Sequence, residues 1–262
     1  MVHFVGAGPG AEDLITVRGL KLVRTADVII YAGSLVNPAL LKEAKAGCAV
    51  YNSAYMTLEE VLMVMEEAEE AGLTTVRLHT GDPSIYGAVR EQMDELEKKE
   101  IAYDVCPGVS SFCGAAASLR AEYTLPEVSQ TIIISRAKGR TPVPKKERLR
   151  ALSAHQATMI LFLSSGLAQK VKDELLAGGL QPDTPVAVVY KATWPEEKIV
   201  RTTLERLPED MEKEGISKTA LIVVGRILDG EYAKSKLYDA GFSTEFRKGT
   251  DFSEKSLQEQ QP

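Results

Sequence analysis

The stretch Val76-Arg77-Leu78-His79-Thr80-Gly81-Asp82-Pro83-Ser84-Ile85-Tyr86-Gly87 constrains the fold more than any other. Four residues, Val76 to His79, read as a buried strand. A turn follows, and a helix is expected from about Ser84 through Arg90 and Met93. Gly81 opens a backbone conformation closed to residues with a Cβ, or lets a ligand approach the main chain. Pro83 fixes one dihedral and has no N–H to satisfy. Asp82 can cap the turn or accept from a ligand, and Ser84 stands where a helix cap is expected. In an open α/β sheet, the carboxyl end of a strand that turns into a helix is where ligands sit.

The rest of the chain repeats this alternation. Val2 to Val5 and Val28 to Tyr31 are apolar strands, with a helix over Thr16 to Arg24 between them. Asn37-Pro38 is a cap followed by a proline at the first helical position. Thr57-Leu58-Glu59-Glu60 is a capping box, and the helix it opens stops at Gly72. Ala102 to Cys106 is a further strand, ended by Pro107-Gly108, and a small-residue helix starts at Ser110-Ser111. The pattern breaks between Arg120 and Ser129. A second run follows, with strands at Thr131 to Ser135, Thr158 to Leu163, Val186 to Tyr190 and Ala220 to Val224. Glu197 to Thr202 reads as a hairpin partner of Val186 to Tyr190 across Trp194-Pro195. Helices are expected near Glu147 to Ala154, Leu167 to Ala177 and Pro208 to Glu214. Strands alternating with helices of this length predict α/β architecture with mainly parallel sheets. The expected domains are 1–119 and 120–242, and the polar stretch 243–262 is expected to fray.

With 262 residues, 44% of them hydrophobic, the chain can bury two cores. A net charge of −6 argues against a general nucleic-acid binder. No apolar run reaches the ~18 residues of a membrane span. Cys48, Cys106 and Cys113 form no C-x-x-C pair, so no metal site is expected and a reducing cytoplasm suits the count. Against this acidic background, residues 136–148 carry six positive side chains and one negative. Arginines in a loop stiffened by Pro142 and Pro144 suit contacts to carboxylates or phosphates.

Gly6-Ala7-Gly8-Pro9-Gly10-Ala11 matches the dinucleotide pattern G-x-G-x-x-G/A in form only. Pro9-Gly10 blocks a helix opening inside the motif, and the second strand ends Tyr31-Ala32-Gly33-Ser34 without the acid that would hold a ribose hydroxyl. A nicotinamide-dependent oxidoreductase therefore stays only as an alternative. What survives is a second glycine turn beside Gly81, if their strands are neighbours. His79 is expected to be a hydrogen-bonded core histidine. No Ser/His/Asp or H-x-x-H arrangement supports hydrolytic or zinc chemistry.

Taken together, Val5-Gly6-Ala7-Gly8-Pro9-Gly10, Gly81-Asp82-Pro83 and Pro107-Gly108-Val109-Ser110-Ser111 resemble the tetrapyrrole methyltransferases, the class III S-adenosylmethionine-dependent group. Five later segments resemble one branch of it, whose members methylate a corrin precursor. They are Tyr31 to Val36, His79 to Gly87, Arg136 to Pro144, Leu161 to Ser165, and Val189 to Pro195 running on to Thr203. The resemblance spans about residues 3–249.

It implies a homodimer of two-domain chains with the methyl donor in the cleft between the domains. The family's donor contacts fall on Pro9, Gly81, Asp82, Ile85, Tyr86, Ser110, Ser111, Phe162, Tyr190, Ala192, Ala220 and Leu221. A polycarboxylate tetrapyrrole would lie near Gly8 and meet Arg136, Lys138 and Arg140. The family's first loop usually continues Gly-Pro-Gly-Asp; here it is Gly10-Ala11-Glu12-Asp13, so that aspartate is assigned to no residue. Another tetrapyrrole position remains the nearest alternative acceptor.

Overall fold

The computed structural model describes residues 1–230 and 232–250. The first sheet is built from β1 (Val2–Gly6), β2 (Val28–Tyr31), β3 (Ala49–Asn52), β4 (Thr75–His79) and β5 (Tyr103–Cys106), in the order β3-β2-β4-β1-β5. Every pairing in it is parallel. The edge strand β3 was not expected, because Ala49, Val50 and Tyr51 are exposed and show no buried alternation. Helices α1 (Val17–Thr25), α2 (Leu58–Glu70) and α3 (Arg90–Lys98) cover this sheet. Alternate residues along β1 and β2 feed opposite cores, and β4 joins the first of them. Val76 and Leu78 pack with Val5, Val23 and Ile29 on the α1 face. Phe4, Ile30, Met65 and Leu96 form the core on the α2 and α3 face.

The local start signals do what their chemistry predicts. Thr16 accepts from the Gly19 N–H to cap α1, and Asn37 caps a short 3₁₀ helix over Pro38–Glu43. The capping box of α2 is complete: the Thr57 side chain accepts from the Glu60 N–H, and the Glu60 carboxylate accepts from the Thr57 N–H. One expected helix start fails. Residues 82–86 form a turn, and α3 begins only at Arg90. Tyr86 (φ 56°) and Ala88 (φ 49°) adopt the left-handed conformation, which a right-handed helix cannot contain. Gly87 lies so close to Pro83 that a Cβ there would come within 2.2 Å of the Pro83 carbonyl oxygen.

The second sheet holds β6 (Ile132–Arg136), β7 (Thr158–Phe162), β8 (Pro185–Tyr190), β9 (Lys198–Thr203) and β10 (Ala220–Val224), in the order β6-β7-β10-β8-β9. Only β6–β7 is parallel here; β10 runs antiparallel to both neighbours, and β8–β9 is the expected hairpin. Parallel pairings are thus the majority over the molecule, while the second sheet itself is mixed. Helices α5 (Leu149–Leu152), α6 (Ala168–Ala177) and α7 (Leu207–Lys213) share one core with this sheet. The opposite face is covered by α4 (Ser111–Leu119) and the stretch after it, through Ala115, Leu119 and Tyr123 against Ile160, Val189 and Val223. Thus α4 follows the first sheet in sequence but packs on the second. Of the tail expected to fray, residues 243–250 carry neither helix nor strand, and 251–262 lie outside the described residues.

His79 is 4% exposed, and its ring stacks on Phe4 at 6.3 Å. The expected hydrogen bond is absent: Nε2 has no partner. Burial first, and the nearby Arg77 charge second, push the imidazole from 6.5 down to about 3. The fold therefore holds it neutral, whereas the unfolded chain protonates it near its ordinary value. Between those two values the unfolded state binds more protons, so stability falls as pH is lowered through that window. Thermal unfolding followed from pH 7 to pH 4 will show a declining midpoint, and His79→Leu will show a shallower decline. Equal slopes would contradict this account.

Candidate functional site

At the carboxyl ends of β1, β4 and β5 three main chains meet without side chains between them. A Cβ on Gly6 would come within 2.6 Å of both the Gly108 Cα and the Gly81 oxygen. A Cβ on Gly108 would come within 2.1 Å of that same oxygen. Gly8 and Gly81 form an isolated antiparallel bridge, with N–H to O distances of 2.8 and 3.3 Å. Both take the left-handed φ that glycine tolerates, 81° and 61°. The two glycine turns therefore lie side by side, as neighbouring strands require.

Asp82 ties this junction together. Its Oδ1 accepts from the Ser84 N–H at 2.8 Å and from the Ser84 hydroxyl at 2.5 Å. Its Oδ2 accepts from the Gly108 N–H at 2.8 Å. Burial raises the carboxyl, but the bonds from the Ser84 hydroxyl, the Gly108 N–H and the Ser84 N–H outweigh it and hold the group below the usual carboxylate range. Of the two roles open to it from sequence, ordering the turn is the one its bonds perform.

Above the junction lies a crevice enclosing about 880 Å³ of space, the open solvent at its mouth included. One wall comes from the first sheet and α4: Pro9, Thr80, Gly81, Ile85, Tyr86, Ser110 and Ser111. The other comes from the second sheet: Phe162, Leu163, Val189, Lys191, Ala192, Thr219, Ala220 and Leu221. The antiparallel direction of β10 matters here, because it brings the strand's start beside the ends of β7 and β8. Tyr86 meets Phe162 across the gap, ring centroids 5.4 Å apart. Ser110 stands at the cap position of α4, yet its side chain makes no cap bond, which leaves the hydroxyl available to a ligand. Tyr86, Leu163, Lys191 and Thr219 all line the crevice in left-handed conformations without being glycine. Such strain costs energy and persists where the surroundings hold it in place, often at ligand sites.

Ten of the twelve expected donor residues line this one crevice. Asp82 sits behind it in the turn. Tyr190 does not line it either: successive strand residues face opposite ways, so Val189 turns toward the crevice and the Tyr190 ring packs with the core under α6 and α7. Gly8 lies in the bridge behind the wall. Arg136 donates to the Thr141 and Pro142 carbonyls at 3.5 and 2.7 Å, and its charge opposes the upward push of burial on the Tyr86 hydroxyl. Lys138 and Arg140 are exposed on the same loop.

The sequence reading missed Leu35, Thr80, Leu163, Ser165, Lys191, Trp194 and Thr219, which also line the crevice. Lys191 and Trp194 stand inside a segment already singled out, and their residue types were the available signal. The Lys191 ammonium lies 4.9 Å from the Trp194 ring centroid, and Trp194 Nε1 donates to the Pro9 carbonyl at 3.2 Å. A Cβ on Gly10 would come within 2.0 Å of Trp194, so indole occupies the space in front of the first glycine loop. Only a single 3₁₀ turn, Glu12–Leu14, follows the loop; α1 begins at Val17. The loop is packed against protein, unlike the phosphate cradle of a dinucleotide fold.

A crevice at strand ends, lined by main chain and apolar groups with a few hydroxyls, suits a small ligand with a flat apolar part and a few polar groups. The fold and this site define a protein of two α/β sheets whose strand ends share one ligand crevice. The tetrapyrrole (corrin/porphyrin) methylase model matches residues 1–208, and the chain belongs to that family. Like its members, the chain is an S-adenosylmethionine-dependent methyltransferase. It is 57% identical to a cobalt-precorrin-4 C(11)-methyltransferase of Methanocaldococcus jannaschii, over 94% of this chain and 96% of that one. It is 49% identical to the Priestia megaterium protein of the same name, over 95% and 98%. A solved cobalt precorrin-4 methyltransferase superposes with a TM-score of 0.85 at 50% identity, covering 87% of this chain and 95% of the other. The Thermus thermophilus uroporphyrin-III C-methyltransferase, solved with S-adenosylhomocysteine, gives 0.72 at 26% identity, covering 87% and 92%.

Asp82→Asn can satisfy only one side of the junction, because its amide would turn a donor toward either the Gly108 N–H or the Ser84 donors. Urea unfolding should show a loss of about 1–3 kcal/mol. An unchanged midpoint would mean that the carboxylate does not order the turn.

Proposed function

We propose that the chain transfers the methyl group of S-adenosylmethionine to C11 of (cobalt-)precorrin-4, giving (cobalt-)precorrin-5 in cobalamin biosynthesis. The observation that carries this reading is the joining of Gly81, Ile85 and Tyr86 with residues 191–192 and 220–221 in one crevice. The names of the relatives that span nearly the whole chain supply the acceptor and the carbon.

The residues fit the donor. Gly81 and the Ser110–Ser111 start of α4 offer main-chain and hydroxyl groups to its methionine part. Val189, Ala192, Ala220 and Leu221 offer an apolar wall and strand-end main chain to its adenosine. The donor supplies an already activated methyl on a sulfonium, and the carbon nucleophile comes from the tetrapyrrole. What remains for the protein is orientation and exclusion of water, and orientation alone can supply about 7–11 kcal/mol. A triad or dyad is not needed to form the carbon–carbon bond. The tetrapyrrole would lie at the mouth of the crevice, over Leu35, Tyr86 and Leu163, which are 43, 46 and 65% exposed. Arg136, Lys138 and Arg140 would meet its peripheral carboxylates.

The same reading divides the chain near residue 120 into two α/β units, with α4 carried from the first onto the second. It includes a homodimer in the cytoplasm. Among the described residues no helix is long and apolar enough to cross a membrane.

Mass spectrometry of the product made from precorrin-4, with and without cobalt, tests the reaction. The expected product carries one added methyl located at C11; a methyl elsewhere on the macrocycle would overturn the assignment. Arg136→Ala and Arg140→Ala should each raise KM for the tetrapyrrole, by up to about tenfold and less at high salt. An unchanged KM in both would remove that loop from the substrate site.

A further inference from the structure

Glu197 lies outside the crevice, in the connection between β8 and β9. Its Oε2 accepts from the Thr193 N–H at 2.5 Å and from the Ser118 hydroxyl of α4 at 2.5 Å. Thr193 is held at φ 68°, a conformation that a β-branched residue rarely takes. There its Oγ1 accepts from the Ala11 N–H at 3.0 Å, reaching the first glycine loop. Trp194, the next residue, donates to the Pro9 carbonyl and covers Gly10. Ala192, the residue before, lines the crevice opposite Pro9 and Ser110. Gly114 of α4 closes the group: a Cβ on it would come within 2.6 Å of Pro9 and 3.3 Å of Thr193. One carboxylate oxygen thus joins residues 191–194 to α4, and the Thr193 hydroxyl carries the link on to residues 9–11.

We propose that Glu197 is a positioning residue of the donor site, which holds Thr193 left-handed and so keeps Ala192 and Pro9 in register across the crevice. Both bonds fall on one oxygen, and both donors are neutral. The role therefore needs an acceptor at that point and not a negative charge. Glutamine supplies one, since its carbonyl oxygen can accept two bonds. Alanine supplies none and leaves the Thr193 N–H, a short step from the crevice, without its partner. A residue that only stabilised the fold would change the melting temperature and leave donor affinity alone.

The inference rests on the crevice being the donor site, and the experiment separates the two. S-adenosylhomocysteine is titrated calorimetrically into the full-length wild type, Glu197→Gln, Glu197→Ala and Thr193→Val, with the melting temperature of each recorded. Glu197→Gln should bind within about threefold of wild type, and Glu197→Ala about tenfold or more weakly, because both bonds accepted by Oε2 are then lost. In turnover, Glu197→Ala should raise KM for the donor more than it lowers kcat. Thr193→Val keeps Glu197 but cuts the bond to Ala11, and should also weaken binding; it carries the test if Glu197→Ala does not fold. Wild-type affinity in folded Glu197→Ala, or in folded Thr193→Val, would overturn the proposal. So would Glu197→Gln as damaged as alanine, which would make the charge the active element. Failure of the wild type itself to bind would overturn the donor-site reading and this one with it.

Discussion

The meeting of Gly6, Gly81 and Gly108 is the constraint on which the site depends. Three loops leave three adjacent parallel strands, and their main chains touch directly. Any side chain at Gly6 or Gly108 would have to occupy space filled by the Gly81 carbonyl or by another backbone. Because nothing protrudes between them, the Gly81 main chain reaches the crevice wall, where a ligand can approach it closely. Asp82 adds the polar half of the same device, bonding Ser84 on its own turn and Gly108 on the neighbouring one.

The second sheet completes the site by a different route. It brings strand ends of opposite polarity to one edge, so that Phe162, Val189 and Ala220 converge although they belong to strands that do not all run the same way. The loop from Lys191 to Trp194 then crosses to the first glycine turn, where the indole lies over Gly10. Left-handed residues cluster along this seam, at Tyr86, Leu163, Lys191, Thr193 and Thr219. Strain of this kind can be kept only where bonds and packing on both sides hold it. The seam has both, in the Lys191 N–H to Thr219 carbonyl bond at 2.9 Å and in the packing of Pro9 against Gly114.

Much of this was legible in the residues. Caps with a local chemical mechanism, at Asn37 and Thr57, could be read directly because the bonds they make lie within a few residues. The adjacency of the two glycine turns followed once β1 and β4 were taken as neighbours. What failed depended on distant context. Ser84 looked like a helix cap, but its hydroxyl and N–H serve Asp82, and the left-handed Tyr86 postpones the helix to Arg90. Tyr190 was implied by the family resemblance alone, whereas strand parity, fixed by which face covers the core, turns Val189 toward the crevice. The direction of β10 is set by the connection through α7 and by its place between β7 and β8, which no local pattern records. Trp194 could be seen as a large side chain in a loop; that it packs on a glycine 184 positions earlier could not.

The central claim is that backbone packing of the glycine turns creates the donor site. Gly108 does not line the crevice, yet a methyl on it would collide with the Gly81 carbonyl. The direct measurement is a calorimetric titration of S-adenosylhomocysteine into wild type and Gly108→Ala, each checked for native circular dichroism. The account predicts one site per chain in the wild type and at least about a tenfold loss of affinity, some 1.4 kcal/mol, in the variant. A folded Gly108→Ala that binds as tightly as wild type would contradict it.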